Sequence, residues 1–269
     1  MKSFRLLVSC SVPVFIIVTF AASLFAIPAG SFVRPAHASA ITRFPVLMYH
    51  YISAPPNKFD TARLNLSVEP ALFDQQMQWL STHGYTTITA DQAVAALVSG
   101  AGLPAHAVLL TFDDGYTDAY TNAYATLHKY HLVGTFFVVT DWVDQGRSGY
   151  LSWENVREMN ANGMSIGGHS LTHETLTGPD TKWLSAEINN SLVDIQKQIG
   201  RAPAVFAYPY GSYDHNTLDV IKSSMAHLAF TTTSRAASSA ENPYAEPRIR
   251  VNGGTTAASL AALLHSFGF

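Results

Sequence analysis

From residue 44 onwards, short apolar runs alternate with stretches in which apolar residues recur every three or four positions. The apolar runs at 44–52, 86–89, 107–112, 134–139, 164–167, 204–208 and 228–232 predict strands. Each is nearly continuous rather than alternating, which suits parallel strands covered by helices on both faces. Among the helical stretches, Leu184, Ile188, Leu192, Ile195 and Ile199 form one apolar stripe that Gly200 terminates. Phe73, Met77 and Leu80 form another, closed by Gly84, and a further helix is expected over 118–130. So many β/α units predict an α/β fold, a parallel (β/α) barrel in preference to an open sheet. Segments 53–67, with Pro55-Pro56, and 236–247 read as long loops of the kind that carry ligands at barrel strand ends. No internal repeat and no second folded domain is visible.

The N-terminal segment 1–40 follows a different pattern. Lys2 and Arg5 precede an apolar run over 6–27, and Ala36-His37-Ala38-Ser39-Ala40 offers two overlapping cut sites. This is the layout of a secretory signal, yet the run is also long enough to span a bilayer. Segment 1–40 is therefore either a cleaved signal peptide or a retained membrane anchor, with 41–269 the exported folded domain. The chain is expected in the periplasm, at the cell surface or secreted, touching membrane only through an uncleaved N-terminal segment. The only cysteine, Cys10, lies inside the apolar run, so the folded domain must be held by its core or by a metal. A net charge of −3 argues against a nucleic-acid partner, which needs a basic face.

In a parallel barrel, residues just past the C-terminal strand ends converge on one face. Polar groups stand there as Tyr49-His50, Asp113-Asp114, His169 with His173, and Tyr208-Pro209-Tyr210-Gly211. Adjacent carboxylates raise one another's proton affinity, so either a cation relieves Asp113 and Asp114 or the pair is structural. Asp114 could cap the following helix, but a cap needs one aspartate and leaves Asp113 unexplained. His169 and His173 lie a turn apart in GGHSLTH, a spacing from which neutral imidazoles can hold one metal. Histidines so spaced also occur in surface loops. With a carboxylate added, they make a facial triad that leaves positions open for water and substrate. If Asp114 completes that triad, Asp113 is free to take a proton from the water that the cation acidifies. Gly167 and Gly168 are expected to let the backbone turn sharply or approach a ligand.

TFDDG, HSLTH and PYG, in this order across most of the chain after the signal, resemble the first three motifs of the polysaccharide deacetylase family. These are the NodB-type enzymes, carbohydrate esterase family four. The resemblance implies a distorted, incomplete (β/α) barrel with about seven parallel strands. It also implies a divalent metal, most often Zn2+, and hydrolytic removal of N- or O-acetyl groups from an acetylated polysaccharide. Carried over residue by residue, Asp113 matches the base, while Asp114, His169 and His173 match the metal ligands. Tyr210 matches the residue whose backbone N–H stabilises the tetrahedral oxyanion. Tyr208 and Pro209 are expected at the substrate pocket, and the chain is expected to act as a monomer.

The sequence departs from the family just before Pro-Tyr-Gly. Many members carry an arginine just before Pro-Tyr-Gly that pairs with the base, and here Ala207 and Tyr208 stand there. Arg248 or Arg250, in PRIRV, could reach the Asp113 side from a late strand, whereas Arg201 is expected at the surface. PVLMYH, FAYPYG and PRIRV together resemble the subgroup acting on poly-β-1,6-N-acetylglucosamine, which implies an N-acetylglucosamine polymer. His50 fits that subgroup and either lines the pocket or is a core histidine bonded to a carbonyl. The family's terminal Leu-x-His motif points to His265 as general acid, unless 259–264 is an ordinary amphipathic helix and His265 incidental; a metal-bound water or His50 could serve instead. Trp142 and Trp153 either stack on sugar rings or pack in the core. Two further functions stay open at this level: a glycan-binding module that kept the fold without activity, and an O-acetyl esterase on xylan or peptidoglycan.

Overall fold

The structure, a computed structural model, describes residues 41–269. The signal or anchor segment and Cys10 lie outside the described residues. Ten strands occur in chain order: β1 (Arg43–Phe44), β2 (Val46–Tyr49), β3 (Thr86–Thr87), β4 (Ala107–Phe112), β5 (Thr135–Val138), β6 (Ser165–Gly168), β7 (Val205–Ala207), β8 (Leu228–Phe230), β9 (Ala237–Ser238) and β10 (Ile249–Arg250). The main sheet is parallel, in the order β10-β2-β4-β5-β6-β7-β8, with β3 paired to the start of β4. Each predicted run contains one of β2 to β8, and every position of β2, β4, β5 and β6 is buried.

Successive residues of β4 enter different cores, as the two-residue period of a strand requires. Val108, Leu110 and Phe112 pack with Phe73, Met77 and Leu80 of the helix Pro70–Thr82. Ala107 and Leu109 pack with Phe137, Val205 and Phe230 from other strands. Thr111 continues this second series, and so does Asp113 just beyond the strand. The ladder ends at β8 on one side and β10 on the other. The extended run 246–248 stands between these edges: Thr231 N–H donates to Glu246 O at 2.9 Å and Arg248 N–H to Thr233 O at 2.9 Å. One residue later the chain joins β2, with Ile249 opposite Leu47. The barrel is thus incomplete, and a single stretch of backbone spans its seam.

The stripe from Leu184 to Ile199 lies on a continuous helix, Thr181–Ser185, Ala186–Asn190 and Ser191–Ile199, whose middle piece is a π turn. The helix expected over 118–130 begins as a π turn at Ala119–Tyr124 and ends at Ala125–Lys129. The expected loop 53–67 holds the short helix Thr61–Leu66, set by the Asp60 cap on Arg63 N–H rather than by an apolar stripe; none of its residues is buried. The expected loop 236–247 contributes β9, antiparallel to β1. Gly167 and Gly168 make no turn. They lie inside β6, where a Cβ would stand 2.5 Å from Phe137 at Gly167 and 2.9 Å from Leu192 and Phe206 at Gly168. These glycines clear space for rings crossing the strand.

Glu246 sits in the seam, 1% exposed, with Oε2 accepting from Ser238 N–H at 3.1 Å and Oε1 without a partner among the described residues. Burial, and secondarily Glu241, pushes its carboxyl from the ordinary 4.5 up to about 7. A raised carboxyl pKa means that the unfolded chain releases its proton first, so stability falls as pH rises from about 4.5 through about 7. Glu246→Gln is expected to flatten this decline. Thermal unfolding at pH 5.5 and pH 8 checks it: the wild type should lose on the order of 5 °C more than the variant across that interval. Equal losses would show that Glu246 does not titrate as its burial implies.

Candidate active site

Asp113 follows β4 directly, its N–H donating to Tyr49 O at 3.0 Å. The chain then reverses through Asp114 (φ 73°) and Gly115 (φ 72°), both left-handed, a conformation that costs a non-glycine residue free energy. This reversal sends the two carboxylates to different partners.

Asp113, 2% exposed, receives a bidentate pair from Arg248: Nη1 to Oδ1 and Nη2 to Oδ2, each 2.7 Å. Arg248 has no exposed surface; its Nε donates to Thr231 O at 3.0 Å and Nη1 also to Thr111 Oγ1 at 3.2 Å. Phe137 and Phe230 flank the guanidinium at 5.6 and 6.0 Å. Burial alone would raise the Asp113 pKa. The Arg248 charge and hydrogen bonds, with His169 and His50, outweigh it and hold the carboxyl below the usual range. Arg248, arriving from the seam, stands where the sequence lacks an arginine before Pro-Tyr-Gly.

Asp114 Oδ1 lies 3.1 Å from Nε2 of both His169 and His173. His169 Nδ1 is 2.7 Å from the Ala207 carbonyl, which can only accept, so Nδ1 carries a hydrogen and Nε2 is the nitrogen that faces Asp114. Ligand atoms of all three side chains lie within 4.8 Å of one another. Two imidazoles and a carboxylate so aimed fit a divalent cation with nitrogen and oxygen preference. Asp114 is buried and still held well below the usual carboxylate range, because its imidazole partners outweigh desolvation. It does not cap a helix: the next one starts at Ala119 without a side-chain cap.

The turn carrying the histidines is strained and firmly held. Ser170 (φ 62°) and His173 (φ 67°) are left-handed, and Ser170 Oγ accepts from His173 N–H at 2.9 Å. Glu187, 4% exposed, grips the intervening residues: its Oε2 accepts from Leu171 N–H (3.1 Å) and Thr172 N–H (3.0 Å), and Oε1 from Thr172 Oγ1 (2.9 Å). Sequence reasoning missed Glu187. The signal was an acid three residues after Leu184 and next to Ile188, on the inward side of an apolar stripe, inside the π turn.

The cavity between these groups measures about 430 Å³ and is lined by His50, Asp113, Asp114, His169, His173, Tyr208 and Tyr210, with Trp142 and Arg250 also on its wall. His50 Nε2 stands 3.9 Å from Asp113 Oδ2, and its burial keeps it below the usual imidazole pKa against the pull of Asp113 and Asp114. Tyr208 is buried, its hydroxyl donating to Tyr244 O at 2.9 Å. Pro209 is buried but does not line the cavity. Tyr210 is left-handed (φ 59°), and its N–H has no hydrogen-bond partner among the described residues. Gly211 (φ 74°) follows it, and a Cβ there would meet Thr232 N at 2.6 Å. His265 is not brought to the site. It sits exposed on the terminal helix Ala257–Ser266, which buries Leu260 and Leu264 instead. Trp153 also lies off the cavity, its Nε1 donating to Asp144 at 2.6 Å.

An incomplete parallel barrel with this cluster at its strand ends is the architecture of NodB-type deacetylases. Residues 101–228 match the polysaccharide deacetylase family. Over 224 residues the chain is 31% identical to YxkH of Bacillus subtilis, named for the polysaccharide deacetylases, across 83% of this chain and 77% of that one. It is 27% identical over 201 residues to the poly-β-1,6-N-acetyl-D-glucosamine N-deacetylase of Staphylococcus aureus, across 70% and 69%. Among solved structures, the Streptococcus pyogenes deacetylase PplD in complex with acetate superposes with a TM-score of 0.79 at 31% identity, covering 84% of this chain and 99% of that one. The chain belongs to the polysaccharide deacetylase family. It is a hydrolase of that class.

Replacing Glu187 by Leu removes the acceptor that the backbone N–H groups of Leu171 and Thr172 need. The substitution should lower Tm by about 3–8 °C, given roughly 1–3 kcal/mol for a buried group left unsatisfied. It should also cut acetate release at least tenfold, because the strained histidine turn loses its clamp. Calorimetry beside an acetate assay decides the matter; wild-type values in both would show the clamp to be dispensable.

Proposed function

We propose that this chain N-deacetylates N-acetylglucosamine residues of an extracytoplasmic polysaccharide, with poly-β-1,6-N-acetylglucosamine the first polymer to test, and that it does so as a monomer. The observation that carries the chemistry is the division of labour between adjacent carboxylates: Asp113 locked to a buried arginine, Asp114 aimed at two imidazoles. The polymer is suggested by the similarity to the Staphylococcus aureus enzyme. Export is suggested by segment 1–40.

In this reading Asp114, His169 and His173 hold a divalent cation, Zn2+ first by donor type. When bound, it supplies Lewis acidity to the acetyl carbonyl and to the attacking water. Asp113 takes the proton of that water, and Arg248 fixes the carboxylate orientation and keeps it ionised. The unpartnered Tyr210 N–H donates to the oxygen that gains charge as the water oxygen bonds to the acetyl carbon. When the carbon–nitrogen bond breaks, the departing nitrogen needs the proton that Asp113 accepted. His50, beside Asp113 in the cavity, is the imidazole positioned to pass it, whereas His265 is not. Tyr208 shapes the pocket wall.

Asp114→Ala should abolish metal binding, while Asp113→Asn should retain metal and lose turnover by about 10²–10⁴-fold, the usual contribution of a positioned base. Metal analysis of both variants beside acetate release from poly-β-1,6-N-acetylglucosamine, chitooligomers, peptidoglycan and acetylxylan is the test. A fully active Asp113→Asn would remove the base assignment, and release from acetylxylan alone would replace the amide substrate by an ester.

A further inference from the structure

A polysaccharide continues beyond the sugar being deacetylated, so its neighbouring residue must lie against the protein surface next to the cavity. A second hollow of about 540 Å³ lies there and shares Tyr116 with the first. Rings connect the two without a break. Trp142, on the wall of the catalytic cavity, lies 5.3 Å from the His173 ring and 4.5 Å from Tyr150, and Tyr150 lies 5.2 Å from Tyr116, which stacks on Tyr51. Tyr51, Tyr116 and Tyr150 are each only partly buried.

The polar side of this hollow is built from a linked set of side chains. Ser53 Oγ donates to Asp118 Oδ2 at 2.5 Å and accepts from Arg63 Nη2 at 3.1 Å, while the Arg63 guanidinium lies over Tyr51. Arg63 and Asp118 both line the hollow and are only partly buried, so charged groups of both signs border it. A sugar ring is the ligand that answers both features, since it presents an apolar C–H face to aromatic edges and hydroxyls that donate and accept at once.

We propose that the hollow formed by Tyr51, Arg63, Tyr116, Asp118 and Tyr150 is a subsite for the sugar adjacent to the one being deacetylated. It rests on the polysaccharide reading of the catalytic cavity. Binding energy collected here holds the scissile acetyl group in place, so it raises kcat/KM for oligomers over that for the single sugar.

The experiment measures kcat/KM on N-acetylglucosamine and on β-1,6-linked oligomers of two to five units, for the wild type, Arg63→Ala and Thr121→Trp. Thr121 is exposed at the rim of the hollow, so a tryptophan there fills it without touching the core. The wild type should gain about tenfold or more from monomer to tetramer, and both variants should bring that ratio to within about twofold of unity. A ratio unchanged in both variants, or a wild type indifferent to chain length, overturns the subsite. Wild-type activity confined to chitooligomers would instead overturn the β-1,6 assignment, and the same length series on those oligomers then decides the subsite.

Discussion

The buried pair between Arg248 and Asp113 is the interaction on which the rest of this structure depends. Two charges removed from water are costly, and only close, fully hydrogen-bonded geometry offsets that cost. Here every guanidinium nitrogen has a partner: Nη1 and Nη2 on the carboxylate, and Nε on Thr231 O. The partners lie on and just beyond β4 and just past β8, while the arginine itself comes from the seam between β8 and β10. One side chain therefore ties together the strands flanking the gap in the barrel and fixes the carboxylate that faces the cavity. Removing it would leave an uncompensated buried charge, a loss of about 3–5 kcal/mol, and would open the seam at the same time.

A second constraint is local strain gathered at the site. Six non-glycine residues among those described have positive φ, and four of them, Asp114, Ser170, His173 and Tyr210, surround the cavity. Strain of this kind persists only where the surroundings over-determine it. Glu187 and Ser170 hold the histidine turn, and the imidazoles in turn face Asp114. The reversal at Asp114 also explains how neighbouring aspartates do different work. Asp113 keeps the inward direction set by Ala107, Leu109 and Thr111, while Asp114 is turned toward β6.

Much of this was legible in the sequence because it rests on short-range pattern. Six of the seven strands of the main sheet announce themselves as continuous apolar runs, and a strand's C-terminal end announces where its polar residues gather. Asp113, Asp114, His169, His173 and Tyr208 could be grouped on that ground alone. Features without such a signature were harder to see. The helix Thr61–Leu66 has no buried face, β9 and β10 are two residues long, and Gly167 and Gly168 looked like a turn because ring packing across a strand leaves no trace in sequence. His265 met a motif spacing, but its helix turns Leu260 and Leu264 inward and leaves it in solvent.

The position of the arginine has a consequence beyond geometry. An arginine just before Pro-Tyr-Gly would sit on β7, next to the strand that leads to the histidines. Here Ala207 occupies that place, packed in the interior, and its carbonyl fixes the tautomer of His169. The duty of pairing with Asp113 passes to a residue far along the chain, in a segment that also spans the barrel's seam. Orientation of the imidazoles and ionisation of Asp113 are thereby set by different strands. Closure of the C-terminal segment and orientation of the proton acceptor are joined through Arg248, whereas the histidine turn is held separately by Glu187.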